Sequence, residues 1–199
     1  MKQVMILHGG YTYTSKELYL RHLREAPLDY TRLLFTGMKW REWISTQLPE
    51  HEVLLPSMPC KENADYDEWK IYFEKIIPFL KNDIIIVGHS LGAMFLVKYF
   101  QEKSIRPRVS KLILVAPCYN DDSTEDLGSF RIDSATNVDK QENVKDLHLI
   151  FSKDDPIIPF TEAAKFQADM PRAKSHIFES YGHFNTGTFP ELLEIIKQK

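Results

Sequence analysis

Short apolar runs alternate along this chain with stretches in which apolar residues recur every three or four positions. Val4–Leu7, Ile84–Val87, Leu112–Ala116 and Leu147–Phe151 are rich in Leu, Ile and Val and are bounded by charged or turn residues. Short runs with little polar alternation read as strands buried on both faces, the pattern of a parallel sheet. Two weaker runs, Glu52–Leu55 and Ser175–Phe178, bring the expected sheet to about six strands. Helical spacing lies between them. Tyr66–Leu80 carries Trp69, Tyr72, Phe73, Ile76 and Ile77, and Leu91–Gln101 carries Leu91, Phe95, Leu96 and Tyr99. Thr161–Met170 offers Ala163, Ala164 and Phe166 behind Thr161 as a helix cap, and Trp40–Leu48 and Glu191–Lys197 complete the set. Strands alternating with helices predict an α/β domain: a mainly parallel sheet with helices on both faces, a three-layer α/β/α sandwich.

One segment breaks the alternation. Tyr11–Met38 is polar and aromatic, helical around Lys16–Arg24, and long for a connection in such a domain. It reads either as a surface insertion or as a small lid, because it leaves the end of the first strand, where such sheets bind ligands. No repeat or Gly/Ser linker divides the chain, so residues 1–199 are expected to form a single domain.

Composition narrows the function. The net charge of −3 is mild, and Lys and Arg are scattered, which argues against a nucleic-acid partner. The N-terminal apolar run is too short for a signal segment or for membrane insertion, so a cytoplasmic location is the default expectation. Cys60 and Cys118 form neither a disulfide framework nor a zinc pattern.

The chemistry concentrates around Ile84-Ile85-Ile86-Val87-Gly88-His89-Ser90-Leu91-Gly92-Ala93. A buried strand runs into G-x-S-x-G and an apolar helix follows, the context of a nucleophile elbow. The sharp turn lifts the Ser90 hydroxyl above the sheet, and small residues two positions either side avoid collision. It also leaves the Leu91 amide free to stabilise an oxyanion. A second donor is expected after the first strand, where the chain reads His8-Gly9-Gly10; Gly10 is the first choice and Tyr11 the fallback.

A serine nucleophile on this turn needs an acid and a base further along the chain. Of the seven histidines, His22 and His51 precede the elbow, His8 and His89 belong to glycine turns, and His148 and His176 fall inside strands. His183 alone follows the last strand, in Tyr181-Gly182-His183-Phe184. The acid belongs on the loop after the preceding strand, which holds both Asp154 and Asp155. Asp155 is preferred because it directly precedes Pro156, which holds it extended.

The elbow, the D-D-P-x-x-P loop and the terminal G-H-F resemble the α/β-hydrolase superfamily. With Trp40, Trp43, Leu48, Pro56-Ser57-Met58-Pro59 and Trp69, they resemble more narrowly the small serine hydrolases of the retinoblastoma-binding protein 9 and YdeN-like group. The resemblance runs from about residue 38 to the end, plus the first strand. It implies a truncated α/β-hydrolase fold without a large cap and a Ser90–Asp155–His183 triad. Two features depart from the group: Tyr11–Met38 is longer than usual, and His8-Gly9-Gly10 is closer to general esterases and lipases.

The expected activity is hydrolysis of small carboxylic esters through an acyl-enzyme, with a small ester or acyl substrate and no metal or cofactor. The same residues would serve an acyltransferase, thioesterase or amidase. A binding protein with an idle triad is the alternative from another class. A cysteine enzyme built on Cys118 is disfavoured because no elbow glycines flank it.

Overall fold

The apolar runs form the strands of one six-stranded sheet in a computed structural model that describes residues 1–28, 30–34, 37–119 and 126–198. The strands are β1 (Lys2–Leu7), β2 (His51–Leu54), β3 (Ile84–His89), β4 (Val109–Val115), β5 (Val144–Ser152) and β6 (Lys174–Phe178). All neighbours pair in parallel, in the order β2-β1-β3-β4-β5-β6. The helices are α1 (Lys16–Glu25), α2 (Trp40–Gln47), α3 (Tyr66–Ile76), α4 (Leu91–Glu102), α5 (Thr136–Asp139), α6 (Thr161–Asp169) and α7 (Pro190–Lys197).

Every residue of β3 is buried, as are all but the first of β1. Successive strand residues face opposite sides, so both faces of these central strands are covered. The result is a three-layer α/β/α sandwich, a truncated α/β-hydrolase fold with no large cap. The two weak sequence runs became the edges, β2 and β6, where partial exposure accounts for their polarity. Helix α4 is buried on nearly every side, which explains its dense apolar sequence. On one flank of α4, Trp69 meets Phe95 and Phe130 edge-on at 5.8 and 5.2 Å between centroids. Aromatic pairs in such arrangements add about 0.5–1.5 kcal/mol beyond burial.

Two element ends differ from the sequence expectation. The helix expected over Tyr66–Leu80 ends at Ile76 and continues as a 3₁₀ turn over Ile77–Phe79, where Pro78 has no N–H to extend the α-helical ladder. Thr161 is not the cap of α6 but its first residue: the chain already turns at Pro159, which accepts from the Glu162 N–H, and Phe160 occupies the cap position.

The long segment lies outside the core. Residues 29, 35 and 36 within Tyr11–Met38 fall outside the described residues. Helix α1 buries none of its side chains, and Leu23, Leu28 and Leu33 are more than half exposed. Its root is held by Asp126, which accepts from both the N–H and the hydroxyl of Thr14 at 2.8 and 3.0 Å.

The chain order places a site. From β1 the chain moves outward to β2, then crosses back to β3 on the other side of β1. Such a reversal opens a crevice at the carboxyl ends of the two central strands. His8 follows β1 there and Ser90 follows β3.

Candidate active site

Ser90 joins β3 to α4 at φ 53° and ψ −122°, a left-handed conformation that disfavours a residue with a side chain. Its N–H donates to Val115 O on β4 at 2.8 Å, and its carbonyl accepts the first helical bonds, from Ala93 and Met94. The flanking glycines permit the close approach. A Cβ on Gly88 would lie 2.6 Å from Gly92 O, and one on Gly92 would lie 2.5 Å from His8 O.

The loop after β6 brings His183 to this serine, with Nε2 2.9 Å from Ser90 Oγ. The Nδ1 of His183 lies 2.8 and 3.1 Å from the carboxylate oxygens of Asp155. A carboxylate only accepts, so Nδ1 carries the hydrogen, and in the neutral ring Nε2 is left to accept from the serine hydroxyl. Both partners are withdrawn from water, with 8% of the His183 side chain and 2% of the Asp155 side chain exposed. Asp155 is fixed in turn by the N–H groups of Ile157 and Ile158, both donating to Oδ1, at 2.8 and 3.0 Å.

Asp154 faces elsewhere. Its Oδ1 accepts from Ser152 Oγ at 2.5 Å and from the Gly182 N–H at 2.8 Å. These bonds hold its carboxyl below the usual range and tie the acid loop to the histidine loop.

Three residues around this centre went unassigned or only half assigned in the sequence. His89, on the elbow itself, donates from Nε2 to the backbone carbonyl of His183 at 3.0 Å. Burial, with the nearby His183 second, pushes the His89 pKa down to about 3, so the ring is a neutral donor. The Trp40 ring meets the His89 ring edge-on at 5.8 Å, and the Trp40 backbone N–H donates to Thr186 O at 3.1 Å. His8 bonds to backbone on both sides of its ring: its Nε2 accepts from the Met58 N–H at 2.8 Å, and its Nδ1 donates to Gly9 O. Burial holds its pKa below the ordinary histidine value.

The amides of Leu91 and Gly10 both belong to residues lining the pocket over Ser90, and neither N–H donates to a protein acceptor among the described residues. The fallback, Tyr11, is otherwise engaged: its N–H donates to Lys61 O at 2.8 Å. The pocket has a volume of about 450 Å³, with Trp40, Leu91, Met94, Leu127, Ile157 and Ile158 as apolar wall. His148 and His176 stack on each other away from this pocket at 5.2 Å, and Cys118 is buried outside its lining. Among the described residues no group of three or more His, Cys, Asp or Glu could hold a metal ion, and no helix is long and apolar enough to cross a membrane.

An α/β-hydrolase fold, with a serine, a histidine and an aspartate bonded in sequence above the central strands, defines the class. The chain belongs to the serine hydrolase family, whose model matches residues 36–196. Serine hydrolase RBBP9 of Rattus norvegicus is 27% identical over 169 residues, covering 79% of this chain and 84% of its own length. The ydeN gene product of B. subtilis superposes with a TM-score of 0.73 at 20% identity, over 98% of this chain and 97% of that one. The thioesterase domain from the curacin biosynthetic pathway superposes with a TM-score of 0.65 at 13% identity, over 99% and 91% of the two chains.

Proposed function

We propose that this hydrolase cleaves small carboxylic esters through an acyl-enzyme on Ser90. The observation that carries the reading is the continuous bond path from Asp155 through His183 to Ser90 Oγ at the head of α4. His183 takes the Ser90 proton as the hydroxyl attacks the ester carbonyl, and Asp155 holds the imidazole orientation and stabilises the imidazolium. The Leu91 and Gly10 amides stabilise the oxyanion, and the dipole of α4 favours charge at the same place. His183 then protonates the leaving alcohol, and water attacks the acyl-enzyme with the same assistance. No step draws on a metal or an organic cofactor.

Labelling with a fluorophosphonate probe, together with a panel of 4-nitrophenyl esters of increasing chain length and matched anilides, tests the reading. Ester turnover and labelling that both vanish in Ser90→Ala are the expected result; loss of a triad nucleophile costs about a millionfold in turnover. Full turnover by purified Ser90→Ala would overturn it. Anilide cleavage matching ester cleavage would replace the esterase with an amidase.

A further inference from the structure

The charged groups around the pocket mouth are unevenly engaged. Three acids, Glu42, Glu62 and Asp126, stand there with three bases, Lys39, Arg41 and Lys61. Asp126 accepts from the N–H and hydroxyl of Thr14 and from the Gly128 N–H at 3.0 Å. Lys61 and Glu62 face each other at 3.8 Å with more than half of each side chain in solvent.

The first turn of α2 is different. Only 17% of the Arg41 side chain is exposed, and its one ion pair among the described residues is a single contact of 3.2 Å from Nη2 to Glu42 Oε1. Its Nη1 is shielded from solvent and has no partner among the described residues. Lys39, beside it on the rim, has no ion pair among the described residues. A guanidinium offers five donors in a planar fork that matches a carboxylate, and one contact leaves most of that capacity unused. The two members of the pair also have unequal access to water. Glu42 keeps 42% of its side chain exposed, although its Oε2 is shielded and, like Arg41 Nη1, has no partner among the described residues; both residues line the pocket.

We infer that the substrate carries a carboxylate, which displaces Glu42 from Arg41 and is held there with the help of Lys39. This rests on the ester-hydrolase reading and names its substrate class: a monoester of a dicarboxylic acid, or an ester whose leaving group bears the carboxylate. The apolar wall receives the remainder of the molecule.

Two matched pairs test it. The 4-nitrophenyl monoester of adipic acid against 4-nitrophenyl hexanoate probes the acyl side; 4-acetoxybenzoate against phenyl acetate probes the leaving group. Each rate is normalised to the hydroxide-catalysed rate. The wild-type protein should prefer the carboxylate ester of at least one pair by about tenfold or more in kcat/KM, mainly through KM. Arg41→Gln should abolish that preference and Arg41→Lys retain part of it. Glu42→Gln should raise it by removing the competing carboxylate. If Arg41→Gln fails to fold, Lys39→Gln at its exposed position carries the test, with a severalfold loss of preference expected. No preference in either pair, or a preference that survives both Arg41→Gln and Lys39→Gln, overturns the inference. Fluorophosphonate labelling of Ser90 separates the two claims. A labelled wild-type enzyme without preference refutes the carboxylate alone, while an unlabelled, inactive one refutes the ester hydrolase and the carboxylate with it.

Discussion

Replacing His89 by Leu should reduce turnover without touching any member of the proposed triad. The substitution keeps a buried side chain of similar bulk but removes the donor that reaches His183 O at 3.0 Å. That carbonyl lies on a loop with two left-handed residues, Gly182 at φ 54° and Phe184 at φ 54°. The backbone on its N-terminal side is held by Ser152 and Asp154, which accept from Tyr181 N–H and Gly182 N–H. An unsatisfied buried acceptor costs about 1–3 kcal/mol, which the loop can relieve by moving its carbonyl toward water. The histidine side chain would move with it. Its Nε2 now sits 2.9 Å from Ser90 Oγ, and a displacement of about 1 Å takes it beyond the ~2.6–3.2 Å reach of a general base. Misplacement on that scale costs about a hundredfold in rate.

The assay is steady-state hydrolysis of 4-nitrophenyl acetate with the fluorophosphonate labelling rate measured in parallel. The loss should appear in kcat and in labelling, and His89→Gln, whose amide can donate to the same carbonyl, should recover part of it. A purely structural defect would instead lower the folded fraction and leave the turnover of folded molecules intact. Wild-type kcat and labelling in folded His89→Leu would refute the positioning argument.

The neighbouring acids should separate: Asp155→Asn should lose about ten-thousandfold in kcat by imposing the wrong imidazole tautomer, whereas Asp154→Asn should lose far less, because it weakens only the ties to Ser152 and Gly182. A larger loss in Asp154→Asn would reverse the assignment. Gly92→Ala should lower Tm by at least about 2 °C in calorimetry, since its Cβ would sit 2.5 Å from His8 O and 3.0 Å from Leu7 O and overpacking of this kind costs about 1–3 kcal/mol; an unchanged Tm would mean that the elbow and β1 can part freely. Acid should destabilise the fold early. The folded-state pKa of His89, about 3, lies below the ordinary histidine value of 6.5, so its contribution is complete above pH 6.5 and falls away as pH drops toward 3. The slope is about 1.4 kcal/mol per pH unit, steepened by His148, which burial and His176 lower to about 4. Urea unfolding at pH 8, 6 and 5 measures it, and a stability that does not fall between pH 6 and 5 would contradict the burial of both rings.

The sheet was legible because burial on both faces leaves continuous apolar runs, and β1, β3, β4 and β5 each contain one. Strand ends were less visible: β5 begins three residues before its apolar run, where Val144 and Asp146 pair with Val109 and Lys111 of β4 and Lys145 between them is exposed. Ser90 was legible because the turn demands glycines at fixed offsets, and His183 because elimination left one histidine after the last strand. The choice of Asp155 rested on the proline that follows it, and the geometry brings this residue to His183 while directing Asp154 to Gly182. His89 could not be read the same way. Its bond joins residues 94 positions apart, and nothing in a G-x-S-x-G pattern says where the side chain of x will point. The same holds for Arg41, whose significance depends on which atoms lack partners after folding.

The segment Tyr11–Met38 bears on where selectivity should be sought. The family match begins at residue 36, so most of Tyr11–Met38 lies outside what the family prescribes. Among the described residues of this segment, Tyr11 and Thr12 line the pocket, and α1 contributes no lining residue. These two are also its best-anchored part: the Tyr11 N–H and C=O bond to Lys61 and Ala64, and the Thr12 hydroxyl donates to Ala64 O at 2.8 Å. A helix that buries nothing has little local stability to impose a shape on its surroundings. On this side the pocket wall is therefore set by the root of the segment and by the first turn of α2, both tied to the central fold. Substrate choice should follow residues such as Tyr11, Thr12 and Arg41 rather than the exposed helix between them, since only groups held against the reacting centre can favour one transition state over another.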